Sequence, residues 1–387
     1  MTLPRILVLA TGGTIAGQAG DAMRADYRPG QIGIEDYLRQ ASGLGVAADF
    51  TGRQIANIGS EDIDASIWSR LHAEIDHAMR DDGVDAVIVT HGTDTAEETA
   101  FLLDLTLPST KPVVLVGAMR PADAVGYDGM RNFANAVRVA GDPDAAGRGV
   151  LVVMGDRVHS ARDVRKAQTR ATEAFRGFPR ESVAIVTPSR LDWFGAPWRV
   201  GDDASLRFLP LPDVPILAVY AGMTATAAAR QLADNPAGIV VSGLGEGNMP
   251  DPVRQISVEH ARRGCLVVRA SRTDEGLVDR EPQDDANGFV ASRALAPPKA
   301  RLLTALLIAN AASLGWRAAC RALFTAREYG PREGMRAVLR IPLSNIIAIM
   351  AARRAVAQYV FSLLGGTLRW DKTEHREHPA VSQEMLA

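Results

Sequence analysis

Short apolar runs alternate with longer segments of helical periodicity along the first half of the chain. The runs are rich in β-branched residues and have the length of strands that are covered on both faces of a sheet. They are Ile6 to Ala10, Ala86 to Val89, Val113 to Gly117, Val150 to Met154 and Ala184 to Val186. The segments that repeat apolar residues at helical spacing are Ile63 to Arg80, Ala96 to Leu105 and Met130 to Ala140. This alternation predicts a doubly wound, mostly parallel α/β sheet in residues 1–190.

The second half of the chain first loses and then regains this alternation. Prolines scattered among tryptophans and charged residues between positions 187 and 213 indicate a stretch without regular structure, so we assign residues 191–212 to a linker. Apolar strand patterns then resume at Ile216 to Tyr220, Gly238 to Ser242 and Cys265 to Ala270. A last helical segment, near Leu302 to Ala311, begins after two prolines, as helix starts often do. Residues 213–316 are therefore expected to form a smaller α/β domain.

The tail, residues 317–387, has a different character. It holds 11 Lys and Arg against 6 Asp and Glu, a net charge of +5, whereas the rest of the chain sums to −7. Its apolar segment Ile341 to Leu364 carries Arg353 and Arg354 near the middle, where charge is expensive in a bilayer. We therefore expect an atypical, basic, helical extension that docks on protein or on a membrane surface. The alternative is a poorly packed appendage left by a gene fusion or a reading-frame accident.

Composition restricts the class of ligand. The 387-residue chain has a formal net charge of −2 and no long basic stripe before the tail, so we expect a small neutral or zwitterionic ligand and no nucleic acid. The two cysteines, Cys265 and Cys320, lie far apart in apolar settings, which argues against disulfides and cysteine-ligated metals. His72 and His77 do not share a helix face as two zinc ligands would. No metal site is therefore expected.

Hydroxyl-bearing loops follow two of the predicted strands. The strand at Ala86 runs into the loop Thr90 to Thr95, and the N-terminal strand runs into Thr11 to Gly17. Ligands bind at the carboxyl ends of strands in open parallel sheets, so the two loops predict one shared site. A threonine hydroxyl needs a base to take its proton before it can act as a nucleophile. Thr14 and Thr93 are the candidates.

Lysine is scarce in this chain, and Lys166 follows soon after the strand that ends at Met154. A neutralised lysine beside a threonine can act as a base, and a carboxylate can orient the pair. By these roles, Thr93, Lys166 and Asp94 are interpreted as a catalytic triad. The alternative is that strand-end threonines only cap helices. His91 fits a hydrogen-bonded structural residue better than a base.

Gly12, Gly13 and Gly17 do not form the dinucleotide pattern Gly-x-Gly-x-x-Gly, and no Walker lysine follows them. Nucleotide binding is therefore the weaker interpretation. The glycines instead permit a tight turn and let a ligand approach backbone amides that can stabilise an oxyanion.

The two loops belong to longer motifs, LATGGTIAG at residues 9–17 and VTHGTDTAEET at residues 89–99. Further segments are NIGSED at 57–62, GAMRP at 117–121, RDVRK at 162–166 and GLGEGN at 243–248. Over residues 4 to 312 the sequence resembles the bacterial L-asparaginases and glutaminase-asparaginases, which carry both motifs and these segments in the same order.

The resemblance implies an amidohydrolase that converts L-asparagine to L-aspartate and ammonia, without a cofactor, and it allows a side activity on L-glutamine. The catalytic residues that it implies are Thr14, Tyr27, Thr93, Asp94 and Lys166. Thr14 would attack the side-chain amide carbon and form an acyl-enzyme, with Tyr27 helping to remove its proton. Backbone N–H groups near Thr14 and Ala118 would hold the oxyanion.

Substrate recognition follows from the charges of an amino acid, which brings an ammonium and a carboxylate. The resemblance implies that Asp94 and Glu61 bind the ammonium, and that Ser60 and the Gly59 region bind the carboxylate. In the family, an asparagine and a glutamate from the neighbouring subunit complete the pocket. Asn248 matches the former and Glu281 is the best candidate for the latter. The resemblance thus implies a homodimer or homotetramer with shared active sites.

A non-catalytic amino-acid-binding or scaffold protein, whose tail carries the biological role, is the alternative function. The sequence contains every catalytic side chain that the resemblance implies, which favours the enzyme over this alternative. The N-terminal apolar run is too short for a signal peptide, so we expect a cytoplasmic protein, or a periplasmic one if Met1 is not the native start. Residues 335 to 379 resemble a fragment near the C-terminus of bacterial membrane-associated family 2 glycosyltransferases. No sugar-nucleotide site accompanies that fragment, so transferase activity is not implied.

Overall fold

The computed structural model describes residues 3–19, 28–43, 45–199, 206–232 and 236–329. The chain divides into two compact units, residues Met1–Ala311 and Ala312–Ala387. Every strand named below belongs to the first unit.

The strands, numbered in chain order, are β1 Arg5–Gly12, β2 Asp49–Ile58, β3 Ala86–Thr90, β4 Val113–Val116, β5 Val150–Met154, β6 Arg157–Ser160, β7 Val164–Lys166, β8 Phe175–Gly177, β9 Ala184–Val186, β10 Leu191–Trp193, β11 Ile216–Ala218, β12 Gly238–Gly243, β13 Leu266–Ser271 and β14 Phe289–Ala291. The α-helices are α1 Ile34–Gly43, α2 Ala65–Arg80, α3 Ala96–Thr106, α4 Gly129–Ala140, α5 Ala225–Gln231, α6 Asp251–Arg262, α7 Pro282–Asn287 and α8 Pro297–Tyr329. Short 3₁₀-helices occur at Thr14–Ala16, Ser60–Asp62 and Pro143–Ala145.

The larger sheet has eight strands in the order β10-β9-β6-β5-β4-β3-β1-β2. Strands β1 to β5 pair in parallel, whereas β6, β9 and β10 extend the sheet by antiparallel pairing. Every residue of β3, β4 and β5 is buried, as the continuous apolar runs predict. The predicted mostly parallel α/β class is confirmed, and the predicted strands are present with small shifts at their ends.

Helices cover both faces of this sheet, because successive residues of a strand point to opposite sides. On one face, Ile6 and Val8 share a core with residues of α1 and α4. On the other face, Leu7 and Leu9 share a core with residues of α2 and α3. The sheet is therefore doubly wound, and the loops that follow its parallel strands gather at one edge.

The segment predicted as a linker, residues 191–212, begins with regular structure. Leu191–Trp193 forms strand β10, which pairs antiparallel with β9 at the sheet edge. Pro188 lies in the turn between these strands, where the N–H of Thr187 donates to the carbonyl oxygen of Arg190 at 2.8 Å. Prolines are tolerated in turns and beside edge strands, so their presence here did not exclude a strand. The prediction of an irregular stretch was wrong at this point.

The smaller sheet contains four parallel strands in the order β11-β12-β13-β14. Residues of α5 and α6 share a core with Ile239 and Val267 on one face. On the other face, Ala300 and Ala305 of α8 share a core with Val240. This sheet is again of the α/β type, with helices on both faces.

Helix α8 also packs against helices of the larger sheet. Leu302 and Leu306 lie in a buried cluster with Trp68 of α2 and with Phe101 and Leu102 of α3. Because one helix packs against elements of both sheets, it holds them together. Residues 317–329 of the predicted extension continue this helix, and the segments Ile341 to Leu364 and 335 to 379 lie outside the described residues. In the part of the chain that the structure describes, no helix has the length and apolarity required to cross a bilayer.

Lys299 is a buried charge in helix α8. Only 2% of its surface is exposed, and its ammonium group donates to the carbonyl oxygens of Ala161 at 2.8 Å, Arg162 at 3.1 Å, and Val164. Burial lowers the pKa of Lys299 to about 8, although the negative charge of Glu97 acts in the opposite direction. The lysine thus binds the turn after β6 and the first residue of β7 to helix α8.

The lowered pKa of Lys299 gives the stability of the protein a specific pH dependence. The folded pKa of about 8 lies below the ordinary value of 10.5, so the unfolded chain binds more protons between these values and the free energy of unfolding rises with pH. Lys299→Met lacks this titrating group. Between pH 8 and pH 10.5 we therefore expect the free energy of unfolding of the wild type to increase, relative to that of Lys299→Met, by up to about 3 kcal/mol. Urea denaturation at several pH values measures it, and parallel curves for the two proteins would contradict the prediction.

Candidate active site

The carboxyl ends of β1 and β3 lie side by side, because these strands pair in parallel with Ala10 opposite Thr90. The hydroxyl of Thr11 donates to the carbonyl oxygen of Thr90 at 3.0 Å. The loops that follow meet at Gly13 and Gly92, where a Cβ atom on Gly13 would lie 2.4 Å from the Cα of Gly92. Glycine at position 13 permits this approach, whereas a Cβ atom on Gly92 would instead lie 2.7 Å from Cβ of Ser60. The two threonine loops of the sequence are therefore adjacent in space.

Thr14 begins the 3₁₀-helix Thr14–Ala16 directly after this contact. Gly13 precedes it with a φ of 79°, in the left-handed region that favours glycine. Only 6% of the surface of Thr14 is exposed. The hydroxyl of Tyr127 donates to the carbonyl oxygen of Ile15 at 2.7 Å, which ties this short helix to the segment before α4. The structure thus positions Thr14 from both sides.

The structure brings Thr93, Asp94 and Lys166 together. Nζ of Lys166 donates to Oγ1 of Thr93 at 2.9 Å and to Oδ1 of Asp94 at 2.5 Å. Thr93 is buried and the Lys166 side chain is only 16% exposed, whereas the Asp94 side chain is 59% exposed. The lysine and the threonine therefore lie beneath the loop surface, and the carboxylate is accessible to a ligand.

Lys166 is held in position by two charged residues, Glu97 and Lys299. Neither of them is assigned to the site from the sequence. The N–H of Lys166 donates to Oε2 of Glu97, in the first turn of α3, at 2.7 Å. Burial raises the pKa of Glu97, and the nearby charge of Lys299 opposes that rise. Lys299 in turn binds the main chain of the residues that precede Lys166. The scarcity of lysine was the available sequence signal for Lys299, whereas an acid in a first helical turn is too common to single out Glu97.

Residues 59 to 61 lie beside Asp94. The hydroxyl of Ser60 accepts a hydrogen bond from the N–H of Asp94 at 3.1 Å, and the carbonyl oxygen of Ser60 accepts one from the hydroxyl of Thr95 at 2.7 Å. Ser60 is buried and Glu61 is exposed. The Glu61 carboxylate lies against Gly59, where a Cβ atom would be 2.4 Å from Oε1 of Glu61. The structure therefore brings these residues to the same edge as Asp94.

Ala118 follows β4, the next parallel strand beyond β3. It is fully buried, and the chain after it is held by the Asp128 carboxylate, which accepts a hydrogen bond from the N–H of Arg120 at 3.0 Å. The preceding residue, Gly117, packs directly on the site, because a Cβ atom there would lie 3.0 Å from Cγ2 of Thr93. The backbone at Ala118 is thus fixed close to Thr93.

Asn248 and Glu281 lie at the smaller sheet. Asn248 ends the loop after β12, where its main chain pairs with Leu244, and its side chain is exposed. Glu281 is the N-cap of α7, and its carboxylate lies 3.2 Å from Nη1 of Arg269. Among the described residues, no hydrogen bond or ion pair joins Asn248 or Glu281 to the loops after β1 and β3.

His91 has the properties of a structural residue. It is fully buried, its Nδ1 lies 2.6 Å from the carbonyl oxygen of Gly92, and burial lowers its pKa to about 4. It is therefore neutral near pH 7, in agreement with the structural interpretation. Tyr27, the remaining predicted catalytic residue, lies outside the described residues.

Within the described ranges, no group of three or more histidine, cysteine, aspartate and glutamate side chains could hold a metal ion. Cys265 is buried, and its burial raises the pKa of the thiol to about 11. A thiol with that pKa is not a nucleophile near pH 7. The side chain of Cys320 lies outside the described set.

This fold and site agree with the comparisons to known proteins. Residues 5–199 match the family model for the asparaginase N-terminal domain, and residues 213–319 match that for the glutaminase/asparaginase C-terminal domain. The chain therefore belongs to the asparaginase family.

Individual relatives agree with this assignment. L-asparaginase 2 of Escherichia coli (strain K12) is 39% identical over 315 residues, which cover 80% of this chain and 90% of that protein. The glutaminase-asparaginase of Pseudomonas fluorescens biotype A is 35% identical over 309 residues, covering 78% of this chain and 85% of that protein. The crystal structure of a probable cytoplasmic L-asparaginase from Campylobacter jejuni superposes with a TM-score of 0.73 at 35% identity, covering 79% of this chain and 95% of that one.

The contact between Gly13 and Gly92 can be tested with a matched pair of glycine substitutions. Gly13 and Gly45 share a φ of 79°, but a Cβ atom on Gly45 would have nothing within 4 Å. Each change to alanine at a positive φ costs about 1–3 kcal/mol of backbone strain. We expect Gly13→Ala to lower the free energy of unfolding by roughly a further 2 kcal/mol, because its methyl group must push the loops apart. Urea denaturation measures both, and equal losses would show that the loops do not touch in solution.

Proposed function

We propose that this chain hydrolyses the side-chain amide of L-asparagine to L-aspartate and ammonia, and that it accepts L-glutamine as a side substrate. The observation that carries the proposal is the bonding of Lys166 Nζ to both Thr93 and Asp94, beside the loop that bears Thr14. Relatives named L-asparaginase and glutaminase-asparaginase support this substrate class.

In the first step, Oγ of Thr14 attacks the amide carbon of the substrate and forms a tetrahedral intermediate. Backbone N–H groups near Thr14 and Ala118 hold the oxygen that becomes negative. The carbon–nitrogen bond then breaks, ammonia leaves with the proton that Thr14 lost, and an ester remains. By resemblance to the family, Tyr27 helps to remove that proton.

In the second step, water attacks the ester carbon. The hydroxyl of Thr93 passes its own proton to the neutral amine of Lys166 and takes one from the water, while Asp94 keeps the lysine in place. The proton held by Lys166 then returns through Thr93 to the oxygen of Thr14. The ester bond breaks, the product aspartate is released and the hydroxyl of Thr14 is restored. The reaction consumes one water and needs no cofactor.

The charges at the site suit a free amino acid. Asp94 and Glu61 are exposed carboxylates that can bind the ammonium group. The substrate carboxylate would lie at Gly59 and Ser60, next to the N–H groups of that turn. Asn248 and Glu281 would come from a neighbouring subunit, since among the described residues neither is bonded to the loops after β1 and β3. The active form would then be a homodimer or homotetramer, and we propose that it works in the cytoplasm.

Replacing Thr14 by alanine tests the nucleophile. We expect ammonia release from asparagine to fall at least about 1,000-fold in kcat, because Thr14 supplies the oxygen of the proposed ester. Thr110→Ala is the matched control, since Thr110 lies before β4, at the opposite end of that strand from Ala118. Full activity in Thr14→Ala would exclude Thr14 as the nucleophile.

The same assay separates the enzyme from the alternative, a non-catalytic amino-acid-binding or scaffold protein. A binding protein would release no ammonia from asparagine or glutamine, with or without Thr14, and would still bind aspartate in calorimetry. Ammonia release by the wild type alone would exclude that alternative.

Removing residues 330–387 tests whether the tail takes part. The described part of helix α8 extends to Tyr329, so the shorter chain keeps every described element. We expect kcat/KM for asparagine within about twofold of the full chain, because every residue proposed for the site lies in the first unit. A loss of activity together with a change of oligomeric state would instead place the tail in assembly.

A further inference from the structure

Arg269, on β13, is only 1% exposed and is the largest fully buried side chain among the described residues. A buried guanidinium is costly unless each of its five N–H groups finds an acceptor. The acceptors of Arg269 come from two separate segments, residues 244–248 after β12 and residues 279–284 at the start of α7.

Arg269 donates four hydrogen bonds and makes one further ion pair. Nε and Nη2 donate to the two carboxylate oxygens of Asp284 at 3.0 and 2.8 Å. Nη2 also donates to the carbonyl oxygen of Asp279 at 2.5 Å, and Nη1 donates to the carbonyl oxygen of Glu246 at 2.6 Å. Nη1 lies 3.2 Å from Oε1 of Glu281 as well. One planar side chain thus ties both segments together.

The first of these segments carries Asn248. A Cβ atom on Gly247 would lie 3.0 Å from Cγ of Arg269, so the loop rests on the arginine stem. The N–H and carbonyl groups of Asn248 pair with those of Leu244 at 2.7 Å, which closes the loop. Within the described part of the chain, no hydrogen bond engages the exposed Asn248 side chain, so this amide is free to bind a ligand.

The second segment carries Glu281. The carboxylate of Asp284, held by Arg269, accepts a hydrogen bond from the N–H of Glu281 at 2.9 Å. The two segments also touch directly, because the N–H of Asp279 donates to Oε1 of Glu246 at 3.2 Å. The positions of Asn248 and Glu281 therefore depend on the same buried group.

We propose that Arg269 is a positioning residue for the substrate site of the neighbouring subunit, where it keeps Asn248 and Glu281 in fixed relation without touching substrate. The inference rests on the proposed function, which assigns those two residues to the partner's site. The role requires arginine, because a lysine ammonium has three donors and no planar fork with which to reach both segments.

Steady-state kinetics of ammonia release test the role. Asn248 and Glu281 would bind parts of the substrate away from the reacting amide, so loosening them weakens the ground state and the transition state together. We expect Arg269→Met and Arg269→Lys to raise KM for asparagine about tenfold or more while kcat changes less than about threefold. Arg263→Met, at an exposed arginine just before β13, is the control and should keep the wild-type KM.

Arg269→Met leaves the Asp284 carboxylate buried and unpaired, which alone could unfold the domain. The double variant Arg269→Met with Asp284→Leu removes both charges and the unpaired carboxylate. We expect its urea midpoint to recover towards that of the wild type while its KM stays raised. A wild-type KM in this folded double variant would overturn the proposal.

Mixed oligomers decide in which subunit Arg269 acts. The Thr14→Ala and Arg269→Met chains, each with its own affinity tag, are co-expressed and the assemblies that carry both tags are purified. In these, Thr14 of the Arg269→Met chain meets the intact segments of the Thr14→Ala chain, so KM should return to the wild-type value. If Arg269 served the site of its own subunit, every intact Thr14 would face damaged segments and KM would stay raised, which overturns the proposal.

These kinetic measurements distinguish a failure of the proposed function from a failure of the proposed role of Arg269. Absence of asparagine hydrolysis in both the wild type and Arg263→Met would overturn the proposed function and this role of Arg269 with it. Hydrolysis by both, with a wild-type KM in the Arg269 variants, would leave the function standing and overturn the role of Arg269 alone.

Discussion

The contact between Gly13 and Gly92 is the constraint on which the candidate site depends. Strands β1 and β3 are parallel neighbours, so their loops leave the sheet at the same level, and the lack of a side chain at Gly13 lets the loops touch. That contact places Thr14 against the loop that carries Thr93 and Asp94. The rest of the site is built around this pair of loops, with the turns after β2 and β4 packed against it.

Around this contact, three charged side chains are buried or half-buried where another segment supplies their partners. Lys299 binds three carbonyl oxygens between the end of β6 and the first residue of β7, Glu97 accepts the N–H of Lys166, and Arg269 joins two segments at the smaller sheet. A buried charge without such partners would cost several kcal/mol, so each of these groups fixes the distance between the segments it joins. The exposed carboxylates, Asp94 and Glu61, are the ones left for a ligand. The charged groups that join segments are therefore buried or half-buried, whereas the carboxylates that can bind a ligand are exposed to solvent.

The sequence predicted the central strands well, because β3, β4 and β5 are apolar on both faces and read as continuous runs. It did not predict β2, whose residues are mostly exposed or half-buried at the sheet edge. Lys166 could be placed beside Thr93, 73 positions away, because the chemistry of a threonine nucleophile calls for a base. No such demand exists for Glu97 or Arg269. Their function lies in contacts with distant main-chain groups, which leave no local pattern.

By itself, the sequence determined the α/β class, the order of the strands along the chain, and the hydroxyl, lysine and carboxylate groups available for chemistry. These follow from the periodicity of burial and from motifs of a few residues, which are local properties. Only the tertiary structure decided which strands are neighbours, that Gly13 meets Gly92, and that Lys299 and Arg269 are buried while Asp94 remains exposed. Those outcomes depend on the pairing of segments far apart in the chain, and each buried charge is tolerated only because a distant segment supplies its hydrogen-bond partners.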